Sequence, residues 1–464
     1  MKHFTMVSPA SLGIDKEGIT GFLDACRRSG LEMHRLMILR HGQCCCKVTW
    51  APYTESDLHP LFSFSKSLTA TAIGFALQEG ILSLDEHIAD YFPEDLPKDP
   101  SENLLSCTIH HLLCMSCGQE TESPDRGPNW KKSFFSHPFV HKPGTFFRYN
   151  TIGTNILGAI LQKKTGQLIT DYLRSRLFDP LGIGKVGSDF MPDKEHTQVG
   201  GSGMRMTLED MARFTQFMLQ DGVWEGRALL PGWYFEQAGI KQIETAGDSE
   251  GHVYDWALGY GYQCWMCPVE RSFRADGAFG QFGLVYPTLD LAVIINSSTE
   301  QTQTMMDAVS QYLIPAVAPD GITKPAVLSE SESCSDGNDS GLENRLADSC
   351  ENAGATAMVE TRSLPVLCGS RIPAAEAALN GAEYLPTDPD EMCNVERLIG
   401  GGGVLDIPSK EEHPGIARIR FEFQGENVLL HVGEKEPIAA SMADRFSYSE
   451  INERRYGACA RWRS

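Results

Sequence analysis

The spacing of apolar positions divides the chain into recognisable elements. Between residues 15 and 28, Ile19, Phe22, Leu23 and Cys26 recur at helical spacing and predict an amphipathic helix. Residues 36–40 and 44–50 are short apolar runs on either side of His41-Gly42, which predicts a β-hairpin. From Leu68 to Gln78 the chain is apolar or small on nearly every side, and a helix apolar all round is a buried one. Thr108 can cap a short helix that stops at Gly118, and residues 156–166 read as a helix ended by Gly166. Thr207 caps another helix through Phe214. Residues 256–262, 282–286 and 291–295 read as strands, with Asp276-Gly-Ala-Phe-Gly-Gln281 a glycine-containing turn or strand start between the first two. Residues 304–313 read as a closing helix. The order is helix, two strands, a long and mostly helical middle, three strands, helix. It predicts an α+β unit with one antiparallel sheet built from both ends and covered by helices.

The texture changes after Val317. Residues 329–341 are acidic and serine-rich with almost no apolar side chain, too little to offset the entropy of ordering them. Farther on, Ala417, Ile419, Phe421 and Phe423 alternate with Arg418, Arg420 and Glu422, and a turn at 425–427 leads into Val428, Leu430 and Val432. This is the period of a half-buried hairpin. The expected organisation is a main unit over 1–318, a disordered acidic linker over 319–371, and a small β-rich accessory domain over 372–464.

Composition narrows the function classes. At 464 residues, 42% hydrophobic and 22% charged, the chain has the make-up of an ordinary globular protein of two or three domains. A formal net charge of −21 argues against nucleic acid or an anionic membrane as partner. The first residues lack an apolar core long enough for a signal peptide, and no run of about eighteen apolar residues occurs. The expectation is a cytoplasmic protein. Fourteen cysteines are scattered. Cys44-Cys45-Cys46 lies in a strand, and Cys114 and Cys117 make a lone C-x-x-C without a second pair, so they read as reduced, small apolar residues rather than a zinc site.

The chemistry concentrates where the buried helix begins. Ser63 and Lys66 are three residues apart, so on a first helical turn their polar ends can meet. A serine hydroxyl attacks only when a neighbour takes its proton, and a lysine amine can do that once burial lowers its pKa. A helix N-terminus also favours developing negative charge. Ser-x-x-Lys alone is weak, since it should arise by chance roughly once or twice in such a chain. On the tetrapeptide alone, Ser63 as an N-cap with Lys66 solvated beside it is the favoured reading, and only the surrounding context changes that. His110 and His111 invite a metal-ligand reading, but a helix face packed beside the site explains them better.

Several pieces together resemble the serine β-lactamase and penicillin-binding-protein superfamily, and within it the class C β-lactamase-related branch of esterases and D-aminopeptidases. They are Ser63-Phe-Ser-Lys66, Gly80-Ile-Leu-Ser-Leu-Asp85, Thr108-Ile-His-His-Leu-Leu with Ser116-Cys-Gly118, Tyr149 in Phe147-Arg-Tyr-Asn150, residues 203–214, and Gly277-Ala-Phe-Gly-Gln281. Their order and rough spacing carry the resemblance over about residues 8–317. It implies a β-lactamase/transpeptidase-like antiparallel sheet flanked by helices, with a helical subdomain. It also implies a mechanism. Ser63 forms an acyl-enzyme, Lys66 accepts or relays the proton, and Tyr149 shares protons with Lys66. By analogy the oxyanion is held by the backbone N–H groups of Ser63 and Ala278, and Gly277 lets its strand pass close to the substrate. No metal or organic cofactor is required.

Two departures shape the expected substrate. Where relatives carry Tyr-x-Asn, Asn150 sits in the middle and Thr151 takes the third place, so a short hydroxyl replaces the amide that contacts a substrate side chain, and Asn150 and Thr151 are the candidate substrate-binding residues there. Where relatives carry Lys-Thr-Gly or His-x-Gly, this chain reads Ala275-Asp276-Gly277, without the cation that grips a substrate carboxylate. Arg274 is adjacent, but in a strand it points to the face opposite Ala275. These changes argue against β-lactamase or penicillin-binding activity and for a small ester or amide, neutral or cationic at that position, with Asp276 a candidate amine-recognising group. The alternatives are a D-amino-acid peptidase or amidase, and a non-catalytic binding module that keeps the fold. The sequence leaves the oligomeric state open.

Overall fold

The computed structural model describes residues 3–247, 254–317 and 358–363, together with short strand segments between residues 383 and 458. Helix α1 (Lys16–Arg28) begins where the Asp15 side chain accepts the Glu17 N–H, and it buries the expected stripe of Ile19, Phe22, Leu23 and Cys26. Strands β1 (Met33–Arg40) and β2 (Gln43–Ala51) form the expected hairpin. Toward the other end of the main unit lie β3 (Trp265–Met266), β4 (Phe273–Gly277), β5 (Gln281–Tyr286) and β6 (Leu291–Ser297), and then β7 (Met358–Ser363). They make one seven-stranded sheet in the order β7-β2-β1-β6-β5-β4-β3. Neighbours are antiparallel except β7, which lies parallel to β2.

Both faces of this sheet are buried, which is why its strands read as apolar runs rather than as alternation. Leu36, Ile38, Val293 and Ile295 face a core shared with α1 and the closing helical segment that begins at Thr302. Met37, Leu39, Ala292 and Ile294 face a second core. That core includes α2 (Ser65–Gln78), α3 (Thr151–Thr165) and α4 (Leu208–Leu219). Every residue of α2 from Ser65 to Ala76 is buried. Its hydroxyls are therefore all paired inside the protein: Ser67 donates to Gln263 O at 2.7 Å, Thr69 to Gly200 O at 2.8 Å and Thr71 to Ser67 O at 2.8 Å.

Three expectations need correction. The strand placed at 256–262 does not form. Tyr254–Trp256 is a 3₁₀ turn, and the chain then bends through Gly259 at φ 117°, against the Lys241 side chain. The strand that pairs with β5 is β4 instead, hidden from a hydropathy reading because it carries Arg274 and Asp276 in its middle. The helix after Thr108 ends at Leu113 rather than Gly118, because Met115 takes φ 57° and Gly118 φ 99°. Finally, residues 358–363 lie inside the expected linker yet supply the edge strand β7. The rest of 319–371 lies outside the described residues. In the tail, Ile419–Gln424 and Asn427–Val432 pair antiparallel, Phe421 opposite Leu430 and Phe423 opposite Val428, as the alternation predicts. Among the described residues no helix is long and apolar enough to cross a membrane.

The cysteines sit in these cores as packing groups. Among the described residues all are buried and none forms a disulfide, and burial pushes the Cys44 and Cys45 thiols up to about 12 and that of Cys117 to about 11. His111 spends Nδ1 on the N-terminus of its own helix, accepting the Thr108 N–H at 3.1 Å.

Candidate active site

The site begins where the chain leaves the sheet for α2. His59–Pro60 pairs with Arg205–Met206, and Leu61 donates its N–H to Met204 O at 2.9 Å. Phe62 then takes φ 47°, a left-handed conformation that is rare for a bulky side chain. A short 3₁₀ turn, Phe62–Phe64, runs straight into α2. Ser63 is left partly exposed at the mouth of this turn, while Lys66, one turn on, is only 1% exposed.

Lys66 Nζ lies 3.0 Å from Ser63 Oγ, 3.2 Å from Thr151 Oγ1 and 2.7 Å from Gly201 O. These partners use all three hydrogens of an ammonium. Among the described residues no carboxylate forms an ion pair with it. Burial accordingly brings the amine down to about 7, against the opposing charges of Glu122 and Asp276. Thr151 is the first residue of α3, so its hydroxyl serves the lysine. Gly201 approaches because it has no side chain: a Cβ there would lie 2.6 Å from Thr151 Cγ2 and 2.8 Å from Thr151 O.

Tyr149 reaches the same lysine, with Nζ 4.7 Å from its ring centroid. The ring is held by aromatic neighbours, stacked on Trp265 at 5.6 Å and edge-on to Tyr260 at 6.1 Å. Asn150 does not face a ligand, contrary to expectation. It is buried, caps α3 by accepting the Gly153 N–H at 2.8 Å, and donates to Gln119 Oε1 at 2.8 Å. A second acceptor at this helix end is Glu122, whose Oε1 takes the Ile152 N–H at 2.7 Å.

The end of β4 closes the other side. A Cβ on Gly277 would fall 2.2 Å from Leu61 O and 3.2 Å from Phe64 N, so the strand backbone lies directly against the nucleophile turn. Ala278 follows, exposed at the tip of a tight turn. Gln281 and Ser297 hold that turn from beneath. Gln281 Nε2 donates to Ala278 O at 3.2 Å and to Ser297 O at 2.7 Å, and Ser297 Oγ donates to Phe279 O at 2.6 Å. The rings of Phe62 and Phe279, which flank Ser63 and Ala278 in sequence, meet at 5.3 Å.

Asp276 is a committed acid rather than a free one. Arg274, on the same strand face and fully buried, donates Nε to its Oδ2 at 2.8 Å. Burial pushes the Asp276 carboxyl up, while Arg274 and the Trp256 indole draw it down. The guanidinium also lies 4.7 Å from the Trp256 ring centroid. The expected amine-recognising role is therefore corrected to that of the anionic half of a buried pair.

Sequence reasoning missed Glu122, Gly201, Gln281 and the pairing of Arg274. The glycine cluster Gly200-Gly-Ser-Gly203 was a usable signal, since such runs mark close backbone approach. Glu122 lies in an aperiodic polar stretch that gives no such hint.

Comparison with known proteins agrees with this fold. The chain is 25% identical over 217 residues to esterase EstB of Burkholderia gladioli, covering 39% of this chain and 54% of the esterase, about half its length. It is 25% identical over 288 residues to the 6-aminohexanoate-dimer hydrolase of Paenarthrobacter ureafaciens, covering 58% of this chain and 73% of that one. The fold matches the crystal structure of a putative β-lactamase from Bacteroides dorei with a TM-score of 0.54 at 17% identity, over 65% of this chain and 99% of the other. The Beta-lactamase family model matches residues 24–316, more than half of the sequence, and the chain belongs to that family.

Proposed function

We propose that Ser63, Lys66 and Tyr149 carry the chemistry of a serine hydrolase that acts through an acyl-enzyme. The observation that carries this reading is the buried Lys66 amine at about 7, 3.0 Å from Ser63 Oγ. A neutral amine in that place has a lone pair for the hydroxyl proton, and near neutral pH a large share of the molecules hold it in that form. Ser63 Oγ bonds to the substrate carbonyl carbon, and its proton passes to Lys66. The carbonyl oxygen gains the negative charge, and the Ser63 and Ala278 N–H groups, on backbones brought together by Gly277, are placed to receive it. When the tetrahedral species collapses, the bond to the leaving group breaks. That group takes a proton from the Lys66–Tyr149 pair, which later accepts one from the water that releases the acid. Thr151 and Gly201 hold the amine in line through both halves of the cycle.

The substrate is a small ester or amide without a carboxylate near the reacting carbonyl. Arg274 is neutralised by Asp276, and Glu122 adds a further acid near the amine, so these residues offer no free cation to an anionic group. A second reading, amidase or peptidase action, is supported by the likeness to the 6-aminohexanoate-dimer hydrolase. Residues 1–318 form the hydrolase unit and 372–464 an accessory β unit, with β7 tying the intervening chain to the hydrolase sheet. The test is the pH profile of kcat/KM on p-nitrophenyl acetate and on D-alanine p-nitroanilide. An acid limb near pH 7 that disappears with Lys66→Met supports the mechanism, and the preferred substrate separates ester from amide action. A profile flat between pH 6 and 9 would remove Lys66 as the base.

A further inference from the structure

A carboxylate that the mechanism does not use sits at the end of α3 nearest the reacting groups. Glu122 comes from the loop at 118–129 and is partly buried. Its Oε1 accepts the Ile152 N–H at 2.7 Å, while the Asn150 side chain accepts the Gly153 N–H at 2.8 Å. Thr151, between these capping contacts, presents its hydroxyl to Lys66 at 3.2 Å. The positive end of this 15-residue helix therefore faces the lysine, and Glu122 stands at that same end.

From this placement we infer that Glu122 is a positioning residue that sets the pH at which Lys66 works. The inference rests on the reading of Lys66 as the base. The helix end and burial both oppose a positive amine, and a fixed negative charge at the cap counters them. Two acids act on Lys66. Asp276 is closely neutralised by the fully buried Arg274. Glu122 faces Arg126, whose Nη2 lies 3.3 Å from its Oε1 at a partly solvated site. Glu122 accordingly holds the amine up more than Asp276 does. The other groups packed about the lysine are the hydroxyls of Ser63 and Thr151, the Gly201 carbonyl and the ring of Tyr149. Asp125, next in the loop, turns its carboxylate to the Gly127 N–H.

Glu122→Gln separates charge from capping, because the amide oxygen can still accept the Ile152 N–H. The measurement is the rate of Ser63 phosphonylation by a fluorophosphonate, with loss of fluoride, against pH in the full-length protein. In the wild type the acid limb lies near 7. In Glu122→Gln it moves to lower pH by roughly half a unit, the size of one nearby carboxylate at an effective dielectric of about 20 with ordinary salt screening. Arg126→Gln removes the balancing cation and moves the limb the other way. An acid limb that stays in place in both variants would overturn the inference while leaving Lys66 as the base. A wild-type rate independent of pH around 7 would overturn the Lys66 reading, and this inference with it.

Discussion

Gly277→Ala tests how closely the end of β4 must lie against the nucleophile turn. The new Cβ would be 2.2 Å from Leu61 O and 2.9 Å from Gln281 Cβ, and the first is a backbone atom that cannot rotate away. Ordinary contact begins near 3.4 Å, so strand and turn must part by roughly 1 Å. That displacement separates Ala278 N–H from Ser63, the two groups that must converge on one oxygen. A shift of this size costs on the order of a hundredfold in rate, and overpacking a filled site costs about 1–3 kcal/mol of stability. The assay is p-nitrophenyl acetate hydrolysis beside urea denaturation. The expected result is a kcat/KM roughly a hundredfold lower with the fold kept. Gly232→Ala is the control, since a Cβ there meets nothing nearer than Asp221 O at 4.0 Å. A Gly277→Ala enzyme with wild-type kcat/KM would refute the close approach as the reason for glycine at this position.

Other expectations follow from the same geometry. Folded Lys66 loses its proton near 7 and an unfolded lysine near 10.5, so between those values the unfolded chain binds more protons and stability rises with pH. Relative to Lys66→Met, the wild type should gain up to about 4 kcal/mol from pH 7 to 10.5 in denaturant titrations, and an equal pH response in both would contradict the buried amine. Asn150→Ala removes the α3 cap and leaves the Gln119 amide short of a partner, so a loss of about 1–3 kcal/mol is expected by thermal unfolding. Arg274→Met strands Asp276 in the interior and should cost about 3–5 kcal/mol, whereas Arg274→Met with Asp276→Leu should cost less. An acyl ester bearing a carboxylate should react with a kcat/KM roughly tenfold lower than its neutral analogue, which competition between the two esters would measure.

Much of this fold was legible because its determinants are local. The stripe of α1, the hairpin at His41-Gly42 and the all-round apolar α2 are periodic signals, and each element lies where its period places it. The strand β4 was not legible. Its alternate positions carry Arg274 and Asp276 although both faces of the sheet are buried, charges tolerated inside because they pair with each other, and pairing is a tertiary fact. The run at 256–262 misled for the converse reason: Tyr260 and Tyr262 are buried like strand residues but serve an aromatic cluster and a helix contact through a glycine-bent loop. In the site, Ser63 and Lys66 lie on one helical turn, so their meeting could be read from spacing. Thr151, Gly201 and Glu122 reach the lysine from segments 56 to 135 residues away in sequence, and no periodicity encodes those approaches. Asn150 was misassigned because a cap and a substrate amide have the same side chain, and only the helix start at Thr151 separates them.

The central claim is that Ser63 is a nucleophile activated by Lys66. Its most direct test is intact-mass analysis of the purified protein after reaction with a fluorophosphonate probe, with Ser63→Ala as the control. The account predicts a single adduct on the wild type, none on Ser63→Ala, and a strongly slowed reaction for Lys66→Met. Folded wild-type protein that takes up no probe, or a Ser63→Ala variant labelled as fast as the wild type, would contradict it.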